Sequence, residues 1–181
     1  MDTAAAELLA RIIGTSSVFD ALVIFVAEYV PYVLVLLVLV AVLRELDWRR
    51  QLFLIISTVL GVIVSRGIVT EVVRLLYQRP RPFLVLDFTP LVDAMGAAFP
   101  SGHAAFFFAL AFVFLWLKRT WGWWFLAFAV MNGIARVVAG VHWITDILGG
   151  VIAGAIGFAV VFMLLRSVLA QLKIAPPSTL K

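Results

Sequence analysis

Residues 21–43 read ALVIFVAEYVPYVLVLLVLVAVL, and Glu28 is the single charged side chain among them. A helix of about 20 apolar residues matches the roughly 30 Å hydrocarbon core of a lipid bilayer. Inside that core, backbone N–H and C=O groups are satisfied only within a helix or a closed barrel. The stretch therefore predicts a transmembrane helix and makes a bilayer the solvent of the fold.

The composition of the whole chain agrees with this interpretation. Of its 181 residues, 65% are hydrophobic and 13% are charged, and the mean hydropathy is +1.15. A soluble domain of this size cannot bury so much apolar surface. The sequence predicts an all-α, polytopic transmembrane helix bundle with about five spanning helices, at Asp20–Leu43, Gln51–Tyr77, Ser101–Leu117, Trp121–Ala139 and Trp143–Leu165.

Three further segments lie outside these spans. Ala4–Ile13 predicts a short amphipathic helix at the membrane interface, and Gln78–Phe99 is the one long loop. The tail Lys173–Lys181 contains two prolines and is expected to be disordered, so residues 1–172 are expected to form one membrane-embedded domain. The absence of cysteine excludes disulfides, thiolate metal sites and a cysteine nucleophile.

The distribution of basic residues predicts the orientation in the membrane. The side that holds the turn 44–50 carries eight basic residues, namely Arg44, Arg49, Arg50, Lys118, Arg119, Arg166, Lys173 and Lys181. The positive-inside rule places this side in the cytoplasm, so the long loop is expected to face outward. The net charge of +4 comes from so few charged residues that nucleic acid is not an expected partner.

Polar residues that a bilayer penalises cluster at the outward ends of the predicted helices. Singly, each has a structural explanation: an interfacial histidine, an acid at a helix start, or arginines that reach to headgroups. Their joint occurrence at matching helix ends instead favours a functional site, because charged groups in membranes are costly. The cluster consists of Arg74, Arg81, Ser101, Gly102, His103, Arg136, His142 and Asp146.

The residue types in this cluster suit phosphoryl transfer. His142 and Asp146 are four apart and share a helix face, so the carboxylate can orient the imidazole as a nucleophile. The Pro100-Ser101-Gly102-His103 turn predicts a helix start whose free N–H groups attract an anion. His103 can protonate a departing oxygen, and the arginines can neutralise a phosphoryl group.

Three motifs in this region resemble the signature of the type 2 phosphatidic acid phosphatase superfamily of membrane lipid phosphatases. They are Arg74-x6-Arg81-Pro82, Pro100-Ser101-Gly102-His103 and Ala135-Arg136-x5-His142-x3-Asp146. The resemblance implies that His142 forms a phosphohistidine, that Asp146 orients it and that His103 is the general acid. It also implies phosphate binding by Arg74, Arg81, Ser101, Gly102 and Arg136. Arg74 and Ala135 depart from the family's usual lysine and serine.

The short chain and the Arg79-Pro80-Arg81-Pro82-Phe83 run look like bacterial members that act on undecaprenyl diphosphate. That resemblance implies a multi-pass protein of the bacterial plasma membrane, with its active site facing the extracytoplasmic side. It implies no cofactor and no metal, and it leaves the oligomeric state open. The alternatives are a phosphatase for phosphatidylglycerophosphate or phosphatidate and, from another class, a non-catalytic protein that binds or transports an anionic lipid.

Overall fold

The computed structural model of the protein describes residues 2–171, which form seven helices and no strand. We number the helices α1 (Asp2–Ala10), α2 (Ser17–Leu43), α3 (Trp48–Leu76), α4 (Pro82–Leu86), α5 (Gly102–Leu117), α6 (Arg119–Val138) and α7 (Ile144–Gln171). Four of them are long and apolar enough to cross a membrane: α2, α3, α6 and the part of α7 at Ile144–Val168. The predicted all-α transmembrane bundle is confirmed.

Helix α5, which the sequence predicts as the third span, has a different character. It has 16 residues, or about 24 Å of helix, and is shorter than the four spans. It packs most extensively on α6 and α7, and its alanine and phenylalanine side chains are mostly buried. Because α5 is surrounded by protein, its length is not set by contact with lipid along its whole surface.

Small residues allow α7 to approach its neighbours closely. A Cβ atom on Gly154 would lie 2.9 Å from the backbone nitrogen of Ala109 in α5. A Cβ atom on Gly157 would lie 2.7 Å from the carbonyl oxygen of Gly61 in α3. Gly154 and Gly157 therefore allow close helix packing within the chain.

A proline in α2 explains a local widening of that helix. Pro31 has no N–H to donate to the carbonyl of Ala27, and the preceding turn, Phe25–Tyr29, is a π-helix. The side-chain amide of Asn132 in α6 donates to the carbonyl oxygens of Val26 and Ala27, at 2.9 and 3.2 Å. This contact satisfies backbone groups that would be costly in lipid and fixes α6 against α2.

The first helix and the long loop pack together over one end of the bundle. Helix α1 begins two residues before the predicted Ala4 and ends at Ala10, before the predicted Ile13. It packs against the bundle, because Ala6 is buried beside Ala98 and Trp143. The loop is fastened to the helix ends: Leu91 donates to the carbonyl of Ala139 at 3.1 Å. The tail 173–181 lies outside the described residues.

Candidate active site

His142 and Asp146 meet at the end of the bundle where α5 begins, α6 ends and α7 begins, which we call the site end. Nδ1 of His142 lies 3.4 Å from Oδ2 of Asp146, and the backbone N–H of Trp143 donates to the same oxygen at 2.8 Å. Both side chains are buried. The carboxylate engages one ring nitrogen and leaves Nε2 of His142 for chemistry, as the four-residue spacing predicts.

The electrostatic surroundings of His142 favour a neutral ring. Burial lowers the pKa of His142 to about 4, although the hydrogen bond to Asp146 acts in the opposite direction. The charges of Arg81 and Arg136 also lower this pKa. The imidazole is therefore neutral near pH 7, the form whose lone pair can attack phosphorus.

A cationic side chain, Arg79, holds the other oxygen of the Asp146 carboxylate. Nη1 of Arg79 donates to Oδ1 of Asp146 at 2.8 Å and to the hydroxyl of Thr145 at 2.6 Å. Nη2 of Arg79 donates to Asp2 of α1 at 3.0 Å, and the guanidinium lies over the ring of Trp143. Asp146 is thus held from both sides, and α1 is tied to the site through Arg79.

Beside His142 lies a cavity of about 450 Å³. Its polar lining residues are Arg66, Arg74, Arg81, Asp93, Gly102, His103, Arg136 and His142. Its apolar lining residues are Pro31, Tyr32 and Val35 from α2, Phe106 and Phe107 from α5, and Ala94 and Met95 from the loop. The cavity therefore offers both positive charge and apolar surface to a ligand.

The three predicted phosphate-binding arginines all line this cavity, but they are not equivalent. Arg136 is 6% exposed, and its buried Nε has no partner among the described residues. Arg74 donates to the carbonyl of Pro100 at 3.1 Å, and its buried Nε also has no partner in that part of the chain. Both guanidinium groups keep donors for an anion.

Arg81 is the most heavily bonded of the three. It donates to the carbonyl oxygens of Gly96, Val141 and Met95, at 3.0, 2.8 and 2.8 Å. These bonds tie the long loop to the residue just before His142. Arg81 therefore combines its positive charge at the cavity with a structural role that the motif does not reveal.

The Ser101–His103 segment divides between support and cavity wall. Oγ of Ser101 caps α5 by accepting from the N–H of Ala104 at 3.4 Å, and Ser101 is fully buried behind the cavity. Gly102 and His103 line the cavity at the first turn of α5, where N–H groups have no acceptor within the helix. Ser101, predicted to bind phosphate, is not among the residues that line the cavity, and its Oγ accepts the capping hydrogen bond.

Sequence reasoning missed the connection from Arg79 to Asp146. The two residues are 67 positions apart, so no local spacing relates them. The one available signal was a second arginine two residues before Arg81. Arg66 and Glu71 form an ion pair, and Nη1 of Arg74 lies 3.6 Å from the same carboxylate oxygen.

Residues 2–171 contain no group of three or more histidine, cysteine, aspartate or glutamate side chains able to hold a metal ion. Positive charge in the cavity comes from arginine side chains. The residues present thus resemble a site that binds an oxyanion directly.

Residues 52–169 match the family model described as the PAP2 superfamily. The chain belongs to this superfamily. The PAP2 match spans α3 to α7 and so includes every residue of the three motifs. Membership makes the protein a membrane phosphatase and confirms the resemblance on which the motifs were interpreted.

Curated relatives extend the PAP2 match over most of the chain. The chain is 31% identical over 159 residues to undecaprenyl-diphosphatase BcrC of Bacillus subtilis, covering 84% of this chain and 80% of that protein. It is 36% identical over 139 residues to the putative undecaprenyl-diphosphatase YbjG of Escherichia coli, covering 76% of this chain and 69% of that protein.

A solved structure has the same PAP2 fold. It is the first transmembrane PAP2 type phosphatidylglycerolphosphate phosphatase from Bacillus subtilis, with a TM-score of 0.67 and 22% identity. The superposition covers 92% of this chain and 85% of that chain. The protein is thus an integral membrane phosphatase of the PAP2 fold, and its substrate is a lipid phosphate.

Proposed function

We propose that this phosphatase removes the terminal phosphate of undecaprenyl diphosphate through a phosphohistidine on His142. The observation that carries the proposal is the oriented His142–Asp146 pair beside a cavity that is lined both by arginines and by apolar side chains. A lipid diphosphate needs both kinds of lining, because its head is anionic and its chain is hydrocarbon. The names of the relatives BcrC and YbjG support the choice of undecaprenyl diphosphate.

In the first step, Nε2 of His142 attacks the terminal phosphorus. The bond from that phosphorus to the bridging oxygen breaks, and its electron pair stays on the oxygen. This oxygen takes a proton from His103, which enters the reaction as the protonated, cationic ring and becomes neutral. Arg74 and Arg136 stabilise the charge on the transferred group, and Asp146 stabilises the cationic ring. Undecaprenyl phosphate then leaves.

In the second step, water attacks the phosphorus of the phosphohistidine. The neutral ring of His103 takes a proton from the water, as microscopic reversibility requires for a residue that was the acid before. The phosphorus–nitrogen bond breaks, and its electron pair returns to Nε2 of His142. Inorganic phosphate leaves, and both histidines are restored to their initial protonation states.

The proposal is tested by measuring phosphate release from purified protein in detergent. The substrates are undecaprenyl diphosphate, phosphatidate and phosphatidylglycerophosphate, each with and without a chelator, and His142→Ala is the control. We expect the highest kcat/KM on undecaprenyl diphosphate and the same rate with chelator, because arginines supply the charge that a metal otherwise would. A preference for either phospholipid would reject this substrate, and no release from any lipid would favour a binding protein.

We also propose that the site end faces the extracytoplasmic side. The opposite end carries exposed basic residues in short turns, as the positive-inside rule requires of a cytoplasmic side. Asp93 at the site end and Arg119 at the other end are both exposed, and the chain has no cysteine. Single cysteines at these positions can therefore be labelled in intact cells with a membrane-impermeant thiol reagent. Labelling at 93 and protection at 119 is expected; the reverse pattern would put the site in the cytoplasm.

A further inference from the structure

Arg66 brings a fourth guanidinium to the cavity, although it lies outside the three motifs. It sits in a π-helical segment of α3, Ile63–Val69, two turns before Arg74. A Cβ atom on Gly102 would lie 2.5 Å from Nε of Arg66, so the guanidinium packs directly against the start of α5. The next residue of α5 is His103, which lines the same cavity.

The contacts of Arg66 leave most of its donors available. Its Nη1 pairs with Glu71, and this is its only hydrogen bond within residues 2–171. A guanidinium has five N–H donors, and the Arg66 side chain is 39% exposed. Because Glu71 also faces Arg74, one carboxylate holds two guanidinium groups side by side at the cavity. A purely structural ion pair would not need the arginine to line the cavity.

The position of Arg66 matches the departing half of a diphosphate. In the proposed reaction, His103 protonates the oxygen that leaves with the lipid, so a group beside His103 faces the leaving group. From a lipid monophosphate that group is an alcohol, which carries no charge once protonated. From a lipid diphosphate it is a phosphate, whose negative charge an arginine stabilises through charge-assisted hydrogen bonds.

We infer that Arg66 forms a subsite for the phosphate that stays on the lipid, and that this subsite selects lipid diphosphates over lipid monophosphates. The inference rests on the proposed phosphatase reaction and assigns Arg66 the role of a specificity-determining residue. Phe106 and Phe107 follow His103 along α5 and line the same cavity. They provide apolar surface for the first part of the lipid's hydrocarbon chain.

The test compares Arg66→Gln with the wild type on undecaprenyl diphosphate and on phosphatidate. Arg50→Gln is the matched control, because Arg50 is also on α3 and pairs with an acid, Asp47, but lies at the opposite end. We expect Arg66→Gln to lower kcat/KM for the diphosphate by about 10-fold to 100-fold, the value of a charge-assisted hydrogen bond. The ratio of kcat/KM for diphosphate over monophosphate should fall at least about tenfold, and Arg50→Gln should leave this ratio unchanged.

A binding measurement keeps the inference testable if turnover is lost. Methylenediphosphonate has a P–C–P bridge that the enzyme does not hydrolyse, and methylphosphonate is its single-phosphorus counterpart. The Kd of each compound is measured by titration calorimetry with the wild type and both variants. Arg66→Gln should raise the Kd of methylenediphosphonate and should change that of methylphosphonate much less. Equal losses for both compounds, or none for either, would overturn the subsite.

The outcome for Arg66 is separate from the outcome for the proposed substrate. If the wild type prefers phosphatidate, undecaprenyl diphosphate is rejected as the substrate. A selective loss of the diphosphate reaction in Arg66→Gln would still establish the subsite in that case. If the wild type prefers the diphosphate and the variant loses both activities equally, the substrate stands and the subsite is wrong.

Discussion

Ion pairs of almost the same length join chain segments at the two ends of the bundle. At the site end, Arg79 lies 2.8 Å from Asp146; at the opposite end, Lys118 lies 2.7 Å from Glu45. The difference lies in what each carboxylate touches. Asp146 is fully buried and bonds to His142, whereas the contact of Glu45 ties two short turns together near the surface. Two ion pairs of nearly equal length therefore differ in what they are expected to control. Substitutions at the two ends should separate effects on rate from effects on stability.

The largest effect is expected from His142→Ala. Without the imidazole no phosphohistidine can form, and loss of a nucleophile costs roughly 10⁴-fold or more in kcat. Phosphate release from undecaprenyl diphosphate measures the loss, and a monodisperse gel-filtration peak checks the fold. Trapping of acid-labile, base-stable phosphate on the wild type, and not on the variant, would support the covalent step. Substantial turnover by a folded His142→Ala protein would remove this mechanism.

Asp146→Asn should have the next largest effect, a loss of roughly 10² to 10⁴-fold in kcat. The amide has about the shape of the carboxylate but cannot stabilise the cationic ring, and its N–H₂ group can enforce the wrong tautomer of His142. It also leaves Arg79 facing a neutral group. Single-turnover rates under saturating substrate isolate this chemical step from binding. A rate within threefold of the wild type would mean that Asp146 only shapes the turn before α7.

Only part of the site could be predicted from the sequence. The proximity of His142 and Asp146 was predictable from their spacing of four residues at the start of a helix, although His142 itself lies two residues before α7 begins. Their link to Arg79 depends on the path of residues 77–101, where prolines and apolar side chains provide no periodic signal. The same loop explains why the carbonyl partners of Arg81, at Met95 and Gly96, could not be foreseen.

In the fold, too, local sequence predicts some features, whereas others depend on contacts between distant residues. Apolar length alone predicts the long helices, because the bilayer sets their dimensions. It does not reveal that α5 is central, since a buried helix and a lipid-facing helix are equally apolar in sequence. The position of α1 likewise follows from contacts of Asp2 and Ala6 with distant residues, not from the pattern of its own side chains.

Arg79→Gln should lower kcat by about 10-fold to 100-fold, as substitutions that support an essential ligand or orienter commonly do. KM should change little, because Arg79 does not line the cavity. Arg79 is a positioning residue: it holds Asp146, and Asp146 holds His142. Arg79→Lys should recover part of the rate by restoring the charge. Equal changes in kcat and KM in Arg79→Gln, or no recovery in Arg79→Lys, would indicate a general structural role.

Lys118→Gln makes the same type of change in the ion pair at the opposite end and should have the smallest effect. The pair is partly exposed, at 26% for the lysine side chain and 17% for the glutamate, and such pairs contribute about 0 to 1 kcal/mol. Salt screens exposed charges, so any fall in the thermal midpoint should be a few degrees at most and should shrink at high ionic strength. The value of kcat should stay within about twofold of the wild type, because within residues 2–171 no ion pair or side-chain hydrogen bond joins Lys118 or Glu45 to His142 or Asp146. A loss of rate as large as that of Arg79→Gln, in a protein of unchanged thermal midpoint, would show that the two ends are coupled through the helices and that an ion pair need not touch Asp146 to control the site.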